Sequence, residues 1–193
     1  MEMISDSTFS DSALAAYARD SRLPSRELAN GLCFHASVEL ARQAQVLQVQ
    51  QPLRFVRWRV RDDLQFHEHW ALLVGDAVID LTAVQVDGDD EPFRSLHSYP
   101  GNYTDRREYP LHVVLAPVQT AALRHGQRYP RGILWAVNRR MAAFDLLRAV
   151  RQRSPAAVIT ASRHMAGAAF TLVAGYLLEA AIQRLGRLLL RLH

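Results

Sequence analysis

The sequence predicts an α+β fold in which helices pack on an antiparallel sheet and a C-terminal α-helical extension follows. Three observations support this: an amphipathic helical stretch near residues 32–46, short strand-like segments between 53 and 82, and helix-favouring segments beyond Pro117. The chain has 193 residues, of which 49% are hydrophobic, so it can bury a core. We place the boundary after Ala116, with an α+β domain over 1–116 and a basic, apolar helical extension over 117–193.

Two helices are predicted before the first strand. Residues 11–19 (DSALAAYAR) favour a short helix. After a break at Leu23-Pro24-Ser25, a second helix is expected to begin near Leu32–Phe34, because the apolar residues that follow recur at intervals of three and four. Cys33, the single cysteine of the chain, therefore lies in the first turn of that helix.

Three strands come next. Residues 53–60 (LRFVRWRV) alternate apolar side chains with arginine, which is the period of a half-buried strand. Residues 65–74 and 77–82 form two more strands, separated by Gly75-Asp76, a pair typical of a two-residue hairpin turn.

The rest of the chain is predicted to be a loop, one strand and several helices. The polar segment 86–109 is interpreted as an extended loop, and LHVVL at 111–115 as a further strand. Residues 118–126 and about 137–152 favour helices, and Ser154-Pro155 is an N-cap followed by proline that begins a third.

The hairpin turn sets which side chains share a face of the sheet. If Gly75-Asp76 is a two-residue turn, His69 and Asp80 become diagonal neighbours on one face, with Cβ atoms roughly 5–8 Å apart. That distance allows a carboxylate–imidazole hydrogen bond. His67 shares the face but lies about 13 Å along the strand, too far for a direct bond. A three-residue turn would instead put Asp80 on the opposite face.

These residues suggest nucleophilic catalysis. A thiol at a helix N-terminus meets the positive end of the helix dipole, which favours the thiolate of Cys33. With His69 as base and Asp80 orienting the ring, the thiol becomes an activated nucleophile. The backbone N–H of Cys33 and the side-chain amide of Asn30 would stabilise an oxyanion.

Structural roles for the same residues are the alternative. A lone cysteine early in a helix often serves as a small buried hydrophobe, and a buried histidine or a turn aspartate can be purely structural. A metal site built from His35, His67 and His69 would lack a carboxylate at a suitable spacing. We therefore expect no metal and no cofactor.

Two segments resemble a known superfamily. GLCFHASVELA followed by HWALLVGDAVIDLTAVQ is similar to the papain-like and transglutaminase-like cysteine hydrolases, particularly small bacterial and phage members, over about residues 23–90. The resemblance implies a papain-like core, in which a nucleophile helix packs on an antiparallel sheet. It also implies that Cys33 is the nucleophile, His69 the base and Asp80 the orienting acid.

The same resemblance adds two candidates to Asn30 for oxyanion or substrate binding. Gln85, in the DLTAVQ tail, resembles a recurrent residue of the superfamily. Trp70 lies one position before the place where many relatives carry an aromatic residue, which in this chain is Ala71.

The predicted function is a cysteine-dependent amide hydrolase or transferase, such as a protease or a glutamine deamidase, acting on a protein or peptide. The resemblance suggests a bacterial effector or toxin domain with a cognate inhibitor or immunity protein, either cytoplasmic in the producing cell or delivered into a target cell. A third hypothesis is a phage or housekeeping protein with the same chemistry. The alternative from another class is a membrane- or partner-binding module on an inactive papain-like scaffold.

Charge is divided unevenly along the chain. All 23 basic residues are arginine: residues 1–116 carry 11 arginines and 17 acids, and residues 117–193 carry 12 arginines and 2 acids. The absence of lysine fits a GC-rich genome or an escape from lysine-directed modification in a host cell.

Because the arginines are not interleaved with aromatic residues, we expect no nucleic-acid partner. Residues 1–20 are polar and acidic, so no signal peptide is expected.

The extension contains one long apolar run. Met165–Ile182 has 18 residues and about 27 Å of helix, which is marginal for a bilayer, and Glu179 would be costly there. We favour a helix buried against the catalytic domain or in a helical hairpin. The alternatives are peripheral contact of residues 155–193 with a membrane surface, or docking to a partner.

Overall fold

A computed structural model describes residues 12–62, 65–125, 132–152, 154–163 and 166. The chain forms two compact units, Met1–Leu111 and His112–His193. The fold is α+β, as predicted. Its elements are α1 (Ser12–Ser21), α2 (Arg26–Ala29), α3 (Cys33–Val46), β1 (Leu53–Asp62), β2 (Gln65–Val74), β3 (Ala77–Ile79), α4 (Val84–Asp87), β4 (Phe93–Arg94), β5 (Tyr103–Pro110), α5 (Leu111–His125) and α6 (Ile133–Arg151).

The first unit is built on a five-stranded antiparallel sheet with the order β4-β3-β2-β1-β5. Strand β1 pairs with β2 along its whole length, from Leu53↔Val74 to Asp62↔Gln65. Strand β3 pairs only with Leu72–Val74. Within the described residues, positions 65–71 of β2 therefore have a neighbouring strand on one side only.

The β2–β3 hairpin has the predicted two-residue turn. Val74 pairs with Ala77 and Leu72 with Ile79. Gly75 has φ +59°, the left-handed conformation that such a turn requires at its first position. Strand β3 ends at Ile79, three residues earlier than expected. The N–H of Asp80 still bonds to Pro92 O in the register of β4, but Ala83 N–H then donates to Asp80 O as the chain turns toward α4.

The two faces of this sheet are covered differently. On one face the Trp70 ring makes edge contacts with Phe55 and with Phe34 of α3, at centroid distances of 6.4 and 5.2 Å. On the other face Trp58 lies directly opposite His69 across the β1–β2 pair. A buried cluster surrounds that position and packs against three partly buried side chains: Val56, Trp58, Ala71, Leu73 and Val78, with Leu96, Tyr99 and Tyr103.

Two predictions for residues 86–115 are wrong. The expected loop over 86–109 contains β4 and most of β5, whose exposed polar residues hide the strand period. LHVVL at 111–115 is the beginning of helix α5 rather than a strand. A short apolar run cannot separate a buried strand from a buried helix by periodicity alone, and Val113, Val114 and Leu115 are all buried. The boundary predicted after Ala116 consequently falls inside α5.

The second unit is helical over its described residues. Besides α5 and α6, residues 155–163 are helical, and Ser154 Oγ accepts from Ala157 N–H at 3.3 Å as the predicted N-cap. Among the described residues, no helix combines the length and apolarity needed to cross a bilayer. The predictions for Met165–Ile182, and for most of 155–193, lie outside the described residues.

Candidate catalytic site

His69 and Asp80 form a buried hydrogen-bonded pair. His69 Nε2 lies 2.7 Å from Asp80 Oδ2, and the two residues are 2% and 1% exposed. The hairpin register predicts this contact: β2 and β3 place the two side chains on one face, over the small Ala71. Histidine and aspartate are rarely buried without partners, so the pair itself explains how both residues are accommodated in the core.

Asp80 accepts three further hydrogen bonds. Thr82 donates both its N–H and its Oγ1 to Asp80 Oδ1, each at 2.9 Å, and Tyr99 Oη donates to Oδ2 at 3.1 Å. Burial by itself raises the pKa of Asp80, but His69 and the bonds from His69 and Thr82 lower it by more, so the net shift is downward. Because Asp80 is a carboxylate, Nε2 of His69 donates the hydrogen bond to Oδ2, and Nδ1 is the ring nitrogen that Asp80 does not contact.

Cys33 is the first residue of α3 and lies against the edge of β2. Its Sγ donates to the carbonyl oxygen of Glu68 at 3.5 Å, and the backbone N–H groups of Trp70 and Phe34 point toward the sulfur and lower its pKa. The sulfur is therefore next to the backbone on both sides of residue 69, in the region where β3 no longer covers β2.

The expected preference for the Cys33 thiolate is wrong for the isolated chain. The pKa of the Cys33 thiol is raised to about 11, because the loss of solvent on burial, helped by the negative charges of Asp80 and Glu68, outweighs the lowering by the N–H groups of Trp70 and Phe34. A helix N-terminus favours an anion by a modest amount, whereas loss of solvent penalises the charged sulfur strongly. The resting group is a thiol.

A polar cavity of about 630 Å³ opens at Cys33. The predicted candidates Asn30 and Gln85 both line it, and Gln85 Nε2 donates to Ala29 O, which ties the beginning of α4 to the end of α2. Cys33 borders the cavity, while the buried His69–Asp80 pair is not part of its wall. The full lining is Arg26, Glu27, Asn30, Gly31, Cys33, His67, Glu68, Gln85 and Tyr103.

The side chain of Trp70, the third candidate for substrate binding, is not among the residues that line the cavity. It is 1% exposed and packs between Phe34 and Phe55 on the face of the sheet that α3 covers. Successive residues of a strand point to opposite faces, so Trp70 cannot join its neighbour His69. Its contribution to the site is its backbone N–H beside Cys33.

Sequence reasoning missed three residues around the pair. Thr82, which holds Asp80 Oδ1, is two residues away in the chain, so an Asp-x-Thr turn was a usable signal. Tyr99 and Tyr103 come from distant segments, with ring centroids 6.1 and 5.3 Å from that of His69. Burial raises the pKa of both tyrosines, and the charge of Asp80 raises it further, so both phenols stay neutral. Only tertiary structure brings these two rings to the site.

The histidines do not form a metal centre in the part of the chain that is described, where no three His, Cys, Asp or Glu side chains gather in a suitable group. His67 is exposed on the cavity wall, and His69 Nε2 is occupied by Asp80.

No protein-family profile, curated protein or solved structure matches this chain.

Proposed function

We propose that this protein is a cysteine-dependent amide hydrolase or transferase, of the protease or glutamine deamidase type, built on a papain-like core. Cys33 is the nucleophile, His69 the base and Asp80 the residue that orients the base. The observation that supports this most is the buried 2.7 Å bond between His69 and Asp80, together with the contact of Cys33 Sγ with the carbonyl of Glu68, the residue that precedes His69.

Asp80 accepts more hydrogen bonds than its burial alone explains. A buried carboxylate is costly unless it is paired and hydrogen-bonded, and a well-packed apolar pair often stabilises a core as well or better. Here four donors hold one carboxylate, and the bond to Nε2 fixes the orientation of the His69 ring, with Nδ1 as its second nitrogen. A fixed base next to a nucleophile is what acyl transfer needs.

The raised pKa of Cys33 sets the order of proton transfer. The thiol is neutral at rest, so Sγ attacks the amide carbonyl carbon as its proton passes to His69 Nδ1. Asp80 stabilises the imidazolium that forms, and the backbone N–H of Cys33 with the Asn30 amide stabilises the oxyanion. His69 then protonates the leaving amine, the C–N bond breaks, and water or an amine resolves the thioester.

The raised pKa also favours one competing function. A thiol that is buried and neutral suits a non-catalytic module, in which the papain-like half binds a partner without chemistry. Other proposals hold for either the enzyme or the binding module. They are a bacterial effector or toxin setting, a cognate inhibitor, and membrane contact through residues 155–193.

Mass spectrometry of a defined peptide mixture tests the proposal. The full chain should produce backbone cleavage, a gain of about one dalton at glutamine, or an amine adduct, because all three reactions use the same thioester. Cys33→Ala and His69→Ala should abolish the change. His112→Ala is the matched control, since His112 is an exposed histidine of α5 that is not part of the cavity wall, and it should leave turnover within about threefold.

Two results would contradict the enzyme: no conversion of any peptide by the wild-type chain, or conversion that survives in Cys33→Ala. The first would favour the binding module.

A further inference from the structure

The open edge of β2 lies beside the cavity. Strand β3 pairs with β2 only at Leu72–Val74, and the chain then leaves the sheet through Asp80. The side of β2 at residues 66–70 that faces away from β1 is therefore covered by no strand in the described part of the chain. Cys33 approaches β2 on that side.

The register shows which backbone groups point to this edge. In an antiparallel ladder the N–H and C=O groups of one residue face the same neighbour, and successive residues alternate. Val74 pairs with Ala77 across the two-residue turn, so the even-numbered residues of β2 face away from β1. The bond from Cys33 Sγ to Glu68 O shows this direction independently.

The thiol of Cys33 occupies only part of the edge. Glu68 O and the N–H of Trp70 face the sulfur, whereas the N–H of Glu68 and the carbonyl of Phe66 point the same way one step further along β2. No backbone group in the described residues is bonded to the N–H of Glu68. An unpaired strand edge is a template for pairing with another chain.

The cavity provides room beside these groups. Its lining includes His67 and Glu68 from β2, and Asn30 and Gly31 from the segment between α2 and α3. At Gly31 an added Cβ would meet no atom within 4 Å, so there is open space beside it. The volume of about 630 Å³ is in the range of ligand-sized pockets.

We propose that the substrate is an extended peptide that pairs with β2 at residues 66–68, inside the cavity, and presents a main-chain amide to Cys33. Recognition is then by strand addition, in which main-chain hydrogen bonds supply affinity and side-chain pockets supply selectivity. This inference rests on the proposed function for its chemistry. It deepens that function by choosing a main-chain peptide over a glutamine side chain or a small primary amide.

The test uses alkylating peptides, so that docking is measured without turnover. In the full chain, Cys33 is treated with iodoacetamide and with iodoacetyl-tetraalanine amide; the sulfur bonds to the CH2 carbon and iodide leaves in both. Each rate is divided by the rate of the same reagent with a free cysteine peptide. Strand pairing predicts that the normalised rate of the peptide reagent exceeds that of iodoacetamide by about tenfold or more, through two or more hydrogen bonds.

N-methylation locates those hydrogen bonds in the peptide. A peptide on a strand edge uses alternate N–H groups, so methylation at alternate alanines should lower the rate about 3- to 10-fold per bond, and methylation between them should have little effect. A uniform response along the peptide would overturn the proposal.

Glu68→Pro removes the corresponding donor from the protein. The N–H of Glu68 faces away from β1, so proline there removes no β1–β2 ladder bond. Glu68→Ala is the matched control, because both variants lose the Glu68–Arg57 ion pair and only proline also loses the N–H. Glu68→Pro should abolish most of the peptide advantage that Glu68→Ala retains. If Glu68→Pro does not fold, the N-methyl series decides alone.

The outcomes separate this inference from the proposed function. A peptide advantage without turnover of any peptide would support strand pairing and refute the enzyme. Turnover confined to glutamine side chains, with no peptide advantage in alkylation, would support the enzyme and refute strand pairing. The His69→Ala variant sharpens this separation, since it should lose turnover but keep the ratio between the two reagents.

Discussion

The two compact units of this protein bury different kinds of residue. The buried polar side chains of the described residues all belong to Met1–Leu111: Ser37, His69, Asp80, Thr82 and Arg94. The described core of His112–His193 is apolar, built from residues such as Val114, Val137 and Met141. Its arginines Arg139, Arg140, Arg148 and Arg151 are exposed instead.

This difference shows which unit carries the energetic cost of buried polar groups. A buried charge lowers stability unless every lone pair is satisfied, so a core that keeps one has a reason other than packing. In the described part of the helical unit the buried side chains are apolar, while the arginines are exposed together with some apolar side chains, such as Leu123 and Leu147. The chemistry should therefore be sensitive to changes in the first unit and indifferent to equivalent changes in the second.

Asp80→Asn should have the largest effect. The amide keeps the shape of the carboxylate but cannot hold the Nε2–H tautomer of His69, so turnover of a peptide that the wild-type chain converts should fall about 10³- to 10⁴-fold. The control is Asp145→Asn, the same exchange on α6 of the helical unit, which should change turnover by less than about twofold. Equal effects of the two substitutions would remove the contrast between the units.

Alkylation of Cys33 by iodoacetamide should be slow at neutral pH. A thiol with a pKa of about 11 instead of 9.0 has roughly 100-fold less thiolate, so the rate should be about 100-fold below that of a free peptide thiol and should rise toward pH 11. Because the pKa is raised in the folded chain, the unfolded thiol ionises first, and the free energy of unfolding should decrease as the pH rises from about 9 to 11. A neutral-pH rate above that of the free thiol would mean that Cys33 rests as a thiolate.

Thr82→Val should have the smallest effect of the three, on stability. It removes the Oγ1 donor to the charged Asp80 with little change of shape, and should lower the free energy of unfolding in urea by about 1.5–3 kcal/mol. Thr120→Val is the matched control in α5, where the exposed hydroxyl bonds only to Ala116 O, and its effect should stay within about 0.5 kcal/mol. An equally large loss of unfolding free energy in Thr120→Val would show that the hydroxyl bond to Asp80 stabilises the fold no more than an ordinary exposed hydroxyl bond.

The parts of the fold that sequence reasoning predicted well are those with strong local signals. Helix α3 and strands β1 and β2 have a clear period, and the Gly75-Asp76 turn fixes the register that joins His69 to Asp80. The predictions for the weakly patterned segments were wrong, because β5 has exposed polar residues and the apolar beginning of α5 is equally compatible with a strand.

Within the site, the sequence alone determined the residue types, the place of Cys33 at the first turn of α3, and the facing of His69 and Asp80, because these depend on short-range periodicity and one turn. Only the tertiary structure decided that Tyr99 bonds Asp80, that Trp70 belongs to the core, and that Cys33 rests as a neutral thiol. Each of these depends on which distant segments remove water from a group, and burial of that kind is a property of the packed chain rather than of any local pattern.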